Sequence, residues 1–190
     1  MILGITGGTG SGKTTLLKIL AENGFTVLDC DAIYHDLLKT DKDMLNAIEC
    51  RFPGTVTSGS LDRKKLGSIV FADPAALKDL NEITHAAVKA AVLLLIKENT
   101  AIDAIGLFEG GLAELCDMTI AVTAPEDVRI SRLMARDNIS EEYARARIHA
   151  QPKPEEFRKL CNFTLENNGT EADFREKCLV FFHTQGIINL

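Results

Sequence analysis

No Cys-x-x-Cys pair occurs in these 190 residues, although five cysteines are present, at 30, 50, 116, 161 and 178. Their odd number and scattered spacing argue against a disulfide framework or a thiolate metal site, and predict reduced, mostly buried thiols. A long apolar run is missing too. The longest, Ala90–Ile96, is far too short to cross a bilayer, and no basic start with an apolar stretch behind it opens the chain. A soluble, cytoplasmic protein without a membrane partner is expected. There is no surplus of positive charge: 21 Lys and Arg stand against 27 Asp and Glu, a net charge of −6. A dedicated nucleic-acid binder needs a basic face, so that class is disfavoured, whereas local binding of phosphates is not. No internal repeat or low-complexity tract is visible, and 46% hydrophobic residues suffice for a real core in one compact domain.

What is there begins at the N-terminus. Gly7-Gly8-Thr9-Gly10-Ser11-Gly12-Lys13-Thr14 follows directly on the apolar run Met1–Thr6 and precedes an amphipathic helix pattern from Thr14 to Asn23. This is the G-x-x-x-x-G-K-[ST] phosphate loop in its strand–loop–helix setting. Glycines let backbone N–H groups turn inward around phosphate oxygens, and the helix aims its positive end at the same anion. Gly8, Gly10, Ser11, Gly12, Lys13, Thr14 and Thr15 are therefore expected to bind a nucleoside triphosphate. Lys13 reaches the β/γ-phosphates, and the Thr14 hydroxyl is placed to ligate Mg²⁺.

Strand signals at Ile2–Thr6, Thr26–Leu28, Ala104–Phe108, Thr119–Val122 and Phe163–Leu165 alternate with helix patterns. The alternation predicts an α/β fold, a three-layer α/β/α P-loop domain with a parallel sheet. About 75 residues separate the second strand from the third, far more than one crossover helix needs. Apart from the turn cluster Pro53–Ser60 they read as helix, with Asp73-Pro74 capping a long one towards Asn99. The surplus predicts a helical lobe over the strand ends, where such sheets bind ligands. The expected organisation is a core of 1–33, 101–128 and 160–190, a substrate lobe of about 34–100 and a lid of about 129–155.

Arginine is unevenly spread. Six of nine lie between 129 and 158, and Arg129, Arg132 and Arg136 share one helix face. They read either as a solvated face paired with Glu126, Asp137, Glu141 and Glu142, or as a mobile lid that closes over ATP. Downstream of a phosphate loop the second reading is favoured.

Carboxylates mark the rest of the candidate site. Leu28-Asp29-Cys30-Asp31 ends the second strand, and two carboxylates one residue apart at a strand end point to the same side. Asp31 is the candidate general base, or else the N-cap of the following helix; Asp29 is the candidate partner of a metal-bound water. Glu109 is expected to close the strand Ala104–Phe108, the place of an acid that holds Mg²⁺ through water, or to be a loop carboxylate before Gly110-Gly111. His85 on the long helix and Arg63 after Leu61-Asp62 each have two readings: structural or solvated residues, or substrate contacts.

Taken in order, these residues resemble the dephospho-coenzyme A kinase family along nearly the whole chain. The resemblance rests on Thr6–Thr15, on Leu28–Asp31, and on Gly59-Ser60-Leu61-Asp62-Arg63 with Leu66, Val70-Phe71 and His85. It continues through Leu107-Phe108-Glu109, Arg132-Leu133 with Arg136-Asp137, Arg147-Ile148 with Gln151, and Asn167–Thr170. Ala86 (usually proline), the Pro152-Lys153-Pro154 stretch (usually a basic residue) and Asn162 (usually aspartate) depart from the pattern. The resemblance implies transfer of the ATP γ-phosphoryl group to the ribose 3′-hydroxyl of dephospho-coenzyme A, the last step of coenzyme A synthesis. It implies Asp31, Lys13 and Arg136 as catalytic residues and Arg132 and Asn167 as further ATP contacts. Asp29, Arg63, His85 and Glu109 are implied on the acceptor side, in a monomer or weak homo-oligomer.

Two rivals remain. Another P-loop nucleoside or small-molecule kinase, of the uridine or shikimate type, fits the length. A regulatory GTPase is more remote: Asp103-Ala104-Ile105-Gly106 matches D-x-x-G, but at the predicted start of a strand, and no N-K-x-D motif occurs.

Overall fold

The computed structural model describes residues 1–189. Its centre is β1 (Ile2–Thr6), paired in parallel with β5 (Thr100–Asp103) on one side and β6 (Met118–Thr123) on the other. β2 (Thr26–Asp29) and β7 (Phe163–Glu166) complete an all-parallel sheet in the order β2-β5-β1-β6-β7. Its strands are short and apolar, as strands covered on both faces must be. On one face α1 (Lys13–Glu22) and α9 (Glu171–Thr184) bury Leu16, Ile19, Leu20, Phe174 and Phe182 against Leu3, Ile5 and Val122. On the other, Val88 and Val92 of α5 (Pro74–Leu95) meet Leu28, Ile102 and Leu107. This is the expected three-layer α/β/α arrangement.

The long insertion forms a core of its own. α2 (Cys30–Thr40), α3 (Lys42–Arg51), α4 (Arg63–Val70) and a hairpin of β3 (Val56–Thr57) with β4 (Ser60–Leu61) close around Phe52, Ile48, Leu66 and Ala76. The hairpin overlaps the predicted turn cluster and runs one residue past it. α5 belongs to both cores, since Ala76 packs into the insertion and Val92 into the sheet. At 22 residues it runs about 33 Å, with His85 at the seam. α6 (Glu126–Asp137) and α7 (Glu141–His149) pair through Ile130, Leu133, Ala144 and Ile148. α8 (Pro154–Leu160) leads into β7. Among the described residues no helix is long and apolar enough to cross a membrane. All five cysteines are free; Cys30 and Cys178 are buried, Cys116 and Cys161 half-buried and Cys50 exposed.

Two expectations are corrected. The third strand is Thr100–Asp103, not Ala104–Phe108. The apolar run continues past the strand because residues 104–113 fold into successive tight turns that bury Leu107 and Leu112 against the sheet. Apolar periodicity alone does not separate such a buried turn from a strand. Asp103 therefore closes the strand, and Glu109 lies exposed in the turn beyond it. The D-x-x-G argument against a GTPase thus loses its premise about strand position, although the missing N-K-x-D motif still stands against it. Likewise Asp29, not Asp31, caps α2: its Oδ1 accepts from the Ala32 N–H at 3.0 Å, while Asp31 sits in the first helical turn.

Gly4 lies mid-strand in β1, where a Cβ would stand 2.8 Å from both Cys116 Sγ and Leu107 Cδ2. Overpacking of this kind costs about 1–3 kcal/mol. Gly4→Ala is expected to lower the melting temperature by about 2–10 °C, with partial recovery in the Gly4→Ala, Cys116→Ala double variant. An unchanged melt would mean that the turn after β5 is not packed as described.

Candidate active site

The phosphate loop leaves β1 at the sheet's switch point, the crevice where neighbouring connections diverge. Lys13, the first residue of α1, folds back so that Nζ donates to the Gly7 carbonyl at 2.8 Å and stands 3.9 Å from Asp103 Oδ1. Burial pushes the Lys13 ammonium below its usual range, although Asp103, Asp31 and Asp29 all pull it back. Burial also drives Asp103 up to about 6, against the attraction of Lys13, with Asp29 and Asp31 adding to the rise. For both partners desolvation outweighs their mutual attraction. Three carboxylates thus face one ammonium, a surplus of negative charge that a cation would relieve.

Two cavities meet here. One, of about 410 Å³, is lined by Gly8–Thr14 of the loop, Asp31, Asp103, Arg132, Arg136, Arg147 and Gln151. The other, of about 250 Å³, lies at the seam of sheet and insertion, between Tyr34, Leu80, Asn81, Thr84, His85, Val88 and Leu112. Asp31 and Ile105 line both. Among the described residues no hydrogen bond engages the Asp31 carboxylate; its backbone carbonyl faces His35 Nδ1 at 2.7 Å. A free carboxylate therefore stands where the two cavities join. Between Asp29 and Asp31, Cys30 lines the second cavity with a thiol pushed up to about 12 by burial and the neighbouring aspartates, so it is no nucleophile at neutral pH.

The remaining candidates divide. Thr14 is exposed and Thr15 half-buried on the first turn of α1. His85 is half-buried in the second cavity, and Nε2 would lie 3.9 Å from a Cβ on Gly106, which Glu109 Oε2 approaches to 3.8 Å. Arg63 is exposed at the start of α4 and acts electrostatically on Tyr34, outside both cavity linings. Asn167 is 4% exposed and fully occupied: Nδ2 donates to the Ser11 carbonyl at 2.9 Å, and Oδ1 accepts from Arg132 Nη2 at 2.9 Å. It shapes the loop from behind.

The shared face of arginines is resolved one residue at a time. Arg129 is buried beneath the loop. Arg132 reaches Asn167 and, at 3.4 Å, the carbonyls of Gly10 and Ser11. Arg136 forks onto Asp137 at 2.7 and 3.0 Å, and Arg147 donates to the same carboxylate at 2.6 Å. Together they hold Asp137 down to about 2. Of the acids expected to pair with this face, Glu126 and Glu141 go to Arg145 instead.

Comparison with known proteins decides among kinases. A family model described as dephospho-CoA kinase matches residues 1–173. The chain belongs to the dephospho-CoA kinase family. A dephospho-CoA kinase from Carboxydothermus hydrogenoformans is 37% identical over 187 residues, 94% of this chain and 91% of that protein. A crystal structure from Thermus thermophilus superposes with a TM-score of 0.79 at 35% identity, covering 97% of each chain. A dephospho-CoA kinase structure from Campylobacter jejuni gives 0.67 at 30% identity, over 97% of this chain and 98% of its own. The activity is that of a dephospho-CoA kinase, with ATP as donor, in the final step of coenzyme A biosynthesis.

Sequence reasoning passed over Asp103, which looked like the opening of a strand. Its signal was the β-branched and small run Thr100-Ala101-Ile102 before it, long enough to be the strand on its own. Because the Asp103 pKa is raised in the folded protein, the native state holds a proton between pH 4 and 6 that the unfolded chain releases. Stability of the free enzyme therefore falls as pH rises through that window, and the penalty is complete above it. Asp103→Asn should stabilise the free enzyme by about 1–3 kcal/mol at pH 8 and change little at pH 4. Denaturant titrations at the two pH values test this; equal effects at both would show that the carboxylate carries no such penalty.

Proposed function

We propose that the 410 Å³ cavity takes the ATP phosphates and the 250 Å³ cavity presents the acceptor's ribose hydroxyl to Asp31. The observation that carries this reading is the place of Asp31, unpaired and lining both. ATP phosphate oxygens accept hydrogen bonds from the backbone amides of Gly10–Thr15. Lys13 exchanges the Gly7 carbonyl for the β/γ-phosphate oxygens, where its charge offsets the charge that develops during transfer. Asp31 accepts the hydroxyl proton as the new O–P bond forms, and the bond to the β-phosphate breaks on the opposite side, towards the loop.

The donor set suits Mg²⁺. Thr14 offers a hydroxyl at the loop's end, and the carboxylate surplus around Asp103 favours a cation. Among the described residues no cluster of three His, Cys, Asp or Glu side chains makes a closed cage, and Mg²⁺ is characteristically held by phosphates, one or two carboxylates and water. We assign the carboxylate role to Asp103 rather than to Glu109, which does not line the phosphate cavity, or to Asp29, whose Oδ1 caps α2. When bound, the ion neutralises phosphate charge.

Arg136 and Arg147 line the phosphate cavity while tethered to Asp137. In this reading they trade part of that pairing for the transferring phosphoryl group as α6 and α7 close, and Arg132 faces the nucleoside side. His85, and Glu109 beside it, position the acceptor from the seam, and Arg63 meets its outer portion.

Asp31→Asn keeps shape and most polarity but cannot take the proton. Its kcat should fall by roughly 10²–10⁴ with ATP affinity and melting temperature near wild type. A coupled assay with ATP, Mg²⁺ and dephospho-CoA, with product mass checked, measures it; near-wild-type turnover in folded Asp31→Asn removes Asp31 as the base. Lys13→Ala should lose about 10²-fold or more in kcat and less in ATP binding, since the loop amides remain. An unchanged turnover number there would sink the assignment of the donor site.

A further inference from the structure

Thr9, at the crest of the phosphate loop, has both of its backbone polar groups held by side chains from elsewhere. Its N–H donates to Gln151 Oε1 at 2.7 Å, and its carbonyl accepts from Arg129 Nε at 2.8 Å. Arg129 Nη2 donates to the same Gln151 Oε1 at 3.2 Å and closes a ring of three hydrogen bonds. Arg129 is 4% exposed and directs these bonds to the loop and to Gln151 rather than to a carboxylate. The fit is close. A Cβ on Gly8 would collide with the Arg129 guanidinium, and one on Gly10 would lie 2.9 Å from the Arg129 carbonyl oxygen.

The two side chains come from opposite ends of one helical pair. Arg129 stands in the first turn of α6, and Gln151 follows two residues after α7. Between them lie the arginines that face the phosphate cavity. Both ends of the arginine-bearing hairpin are thus fastened to one residue of the loop that receives ATP. A part-buried ring of this kind is sensitive to small displacements, because each bond polarises the next.

We propose that Gln151, with Arg129, is a positioning residue that couples phosphate occupancy of the loop to the posture of α6 and α7. Phosphate binding orders the loop, and the ring passes that constraint to both ends of the hairpin at once. The ligand shifts the hairpin's population through a differential contact rather than through distance alone. The inference rests on the donor site proposed above.

The test compares wild type with Gln151→Met, which keeps length but removes the acceptor, and Gln151→Glu, which keeps an acceptor oxygen at the same reach. Hydrogen exchange of residues 130–147 with and without ATP and Mg²⁺ is read beside kcat, both KM values and the melting temperature. In Gln151→Met the KM for ATP should rise about tenfold, the magnitude of one hydrogen bond. Its ATP-induced protection of 130–147 should fall by at least half, while the KM for dephospho-CoA stays within about twofold. Gln151→Glu should recover both properties. ATP-induced protection in Gln151→Met equal to wild type would overturn the inference, and so would a uniform rise in both KM values with a lowered melting temperature, which marks a purely structural role. If Gln151→Met fails to fold, Gln151→Asn, one methylene short of Thr9, is judged by the same criteria. If wild type shows no ATP-induced protection of the phosphate loop itself, the donor-site reading fails and this inference falls with it.

Discussion

Everything in this enzyme hangs on one strand being paired on both edges. β1 lies between β5 and β6, so its backbone has no free edge, and its side chains are covered by helices above and below. A segment held that firmly can deliver a glycine-rich loop into the same place every time. The loop itself has little packing of its own to define its shape. Its conformation is set by the strand behind it and by side chains that reach in from other elements: Arg129 and Gln151 onto Thr9, and Asn167 onto Ser11. The binding loop is flexible in composition and rigid in context.

The electrostatics follow from the same convergence. β2 and β5 are neighbours, so Asp29 and Asp103 occupy paired register positions at their ends, and Asp31 follows two residues after Asp29 in the first turn of α2. Burial is the main reason Asp103 holds its proton to an unusually high pH, and the two neighbouring aspartates add to it against the pull of Lys13. On the reading proposed above, a ligand that arrives with a cation corrects that imbalance, by binding rather than by folding.

The layered α/β fold and the phosphate loop were legible in the sequence because each has a local signature: apolar strands, glycine spacing and helix caps. Asp73-Pro74 marked the start of α5 correctly, since capping chemistry lies within a few residues. The errors came where local pattern was ambiguous. The run from Ala104 to Phe108 is as apolar as a strand but is a buried turn, which moved the expected end of the strand from Asp103 to Phe108. Asp29 and Asp31 are both plausible caps in sequence, and only the backbone geometry at the strand end selects Asp29. Contacts across the chain had no local signature at all. That Asn167 and Gln151 spend their side chains on the phosphate loop follows from separations of 156 and 142 residues.

α5 crosses from the insertion's core to the sheet's core as one unbroken helix. A bar clamped at both ends does not swing, so the seam of sheet and insertion behaves as a fixed wall. The helical pair α6–α7 has its own small core and meets the body mainly through polar contacts at the loop. On the site assignment proposed above, closing is the work of one lid against a fixed wall rather than of two jaws. Under that assignment, changes of acceptor preference accumulate in the insertion without disturbing the timing of closure, because the wall and the lid answer to different parts of the chain.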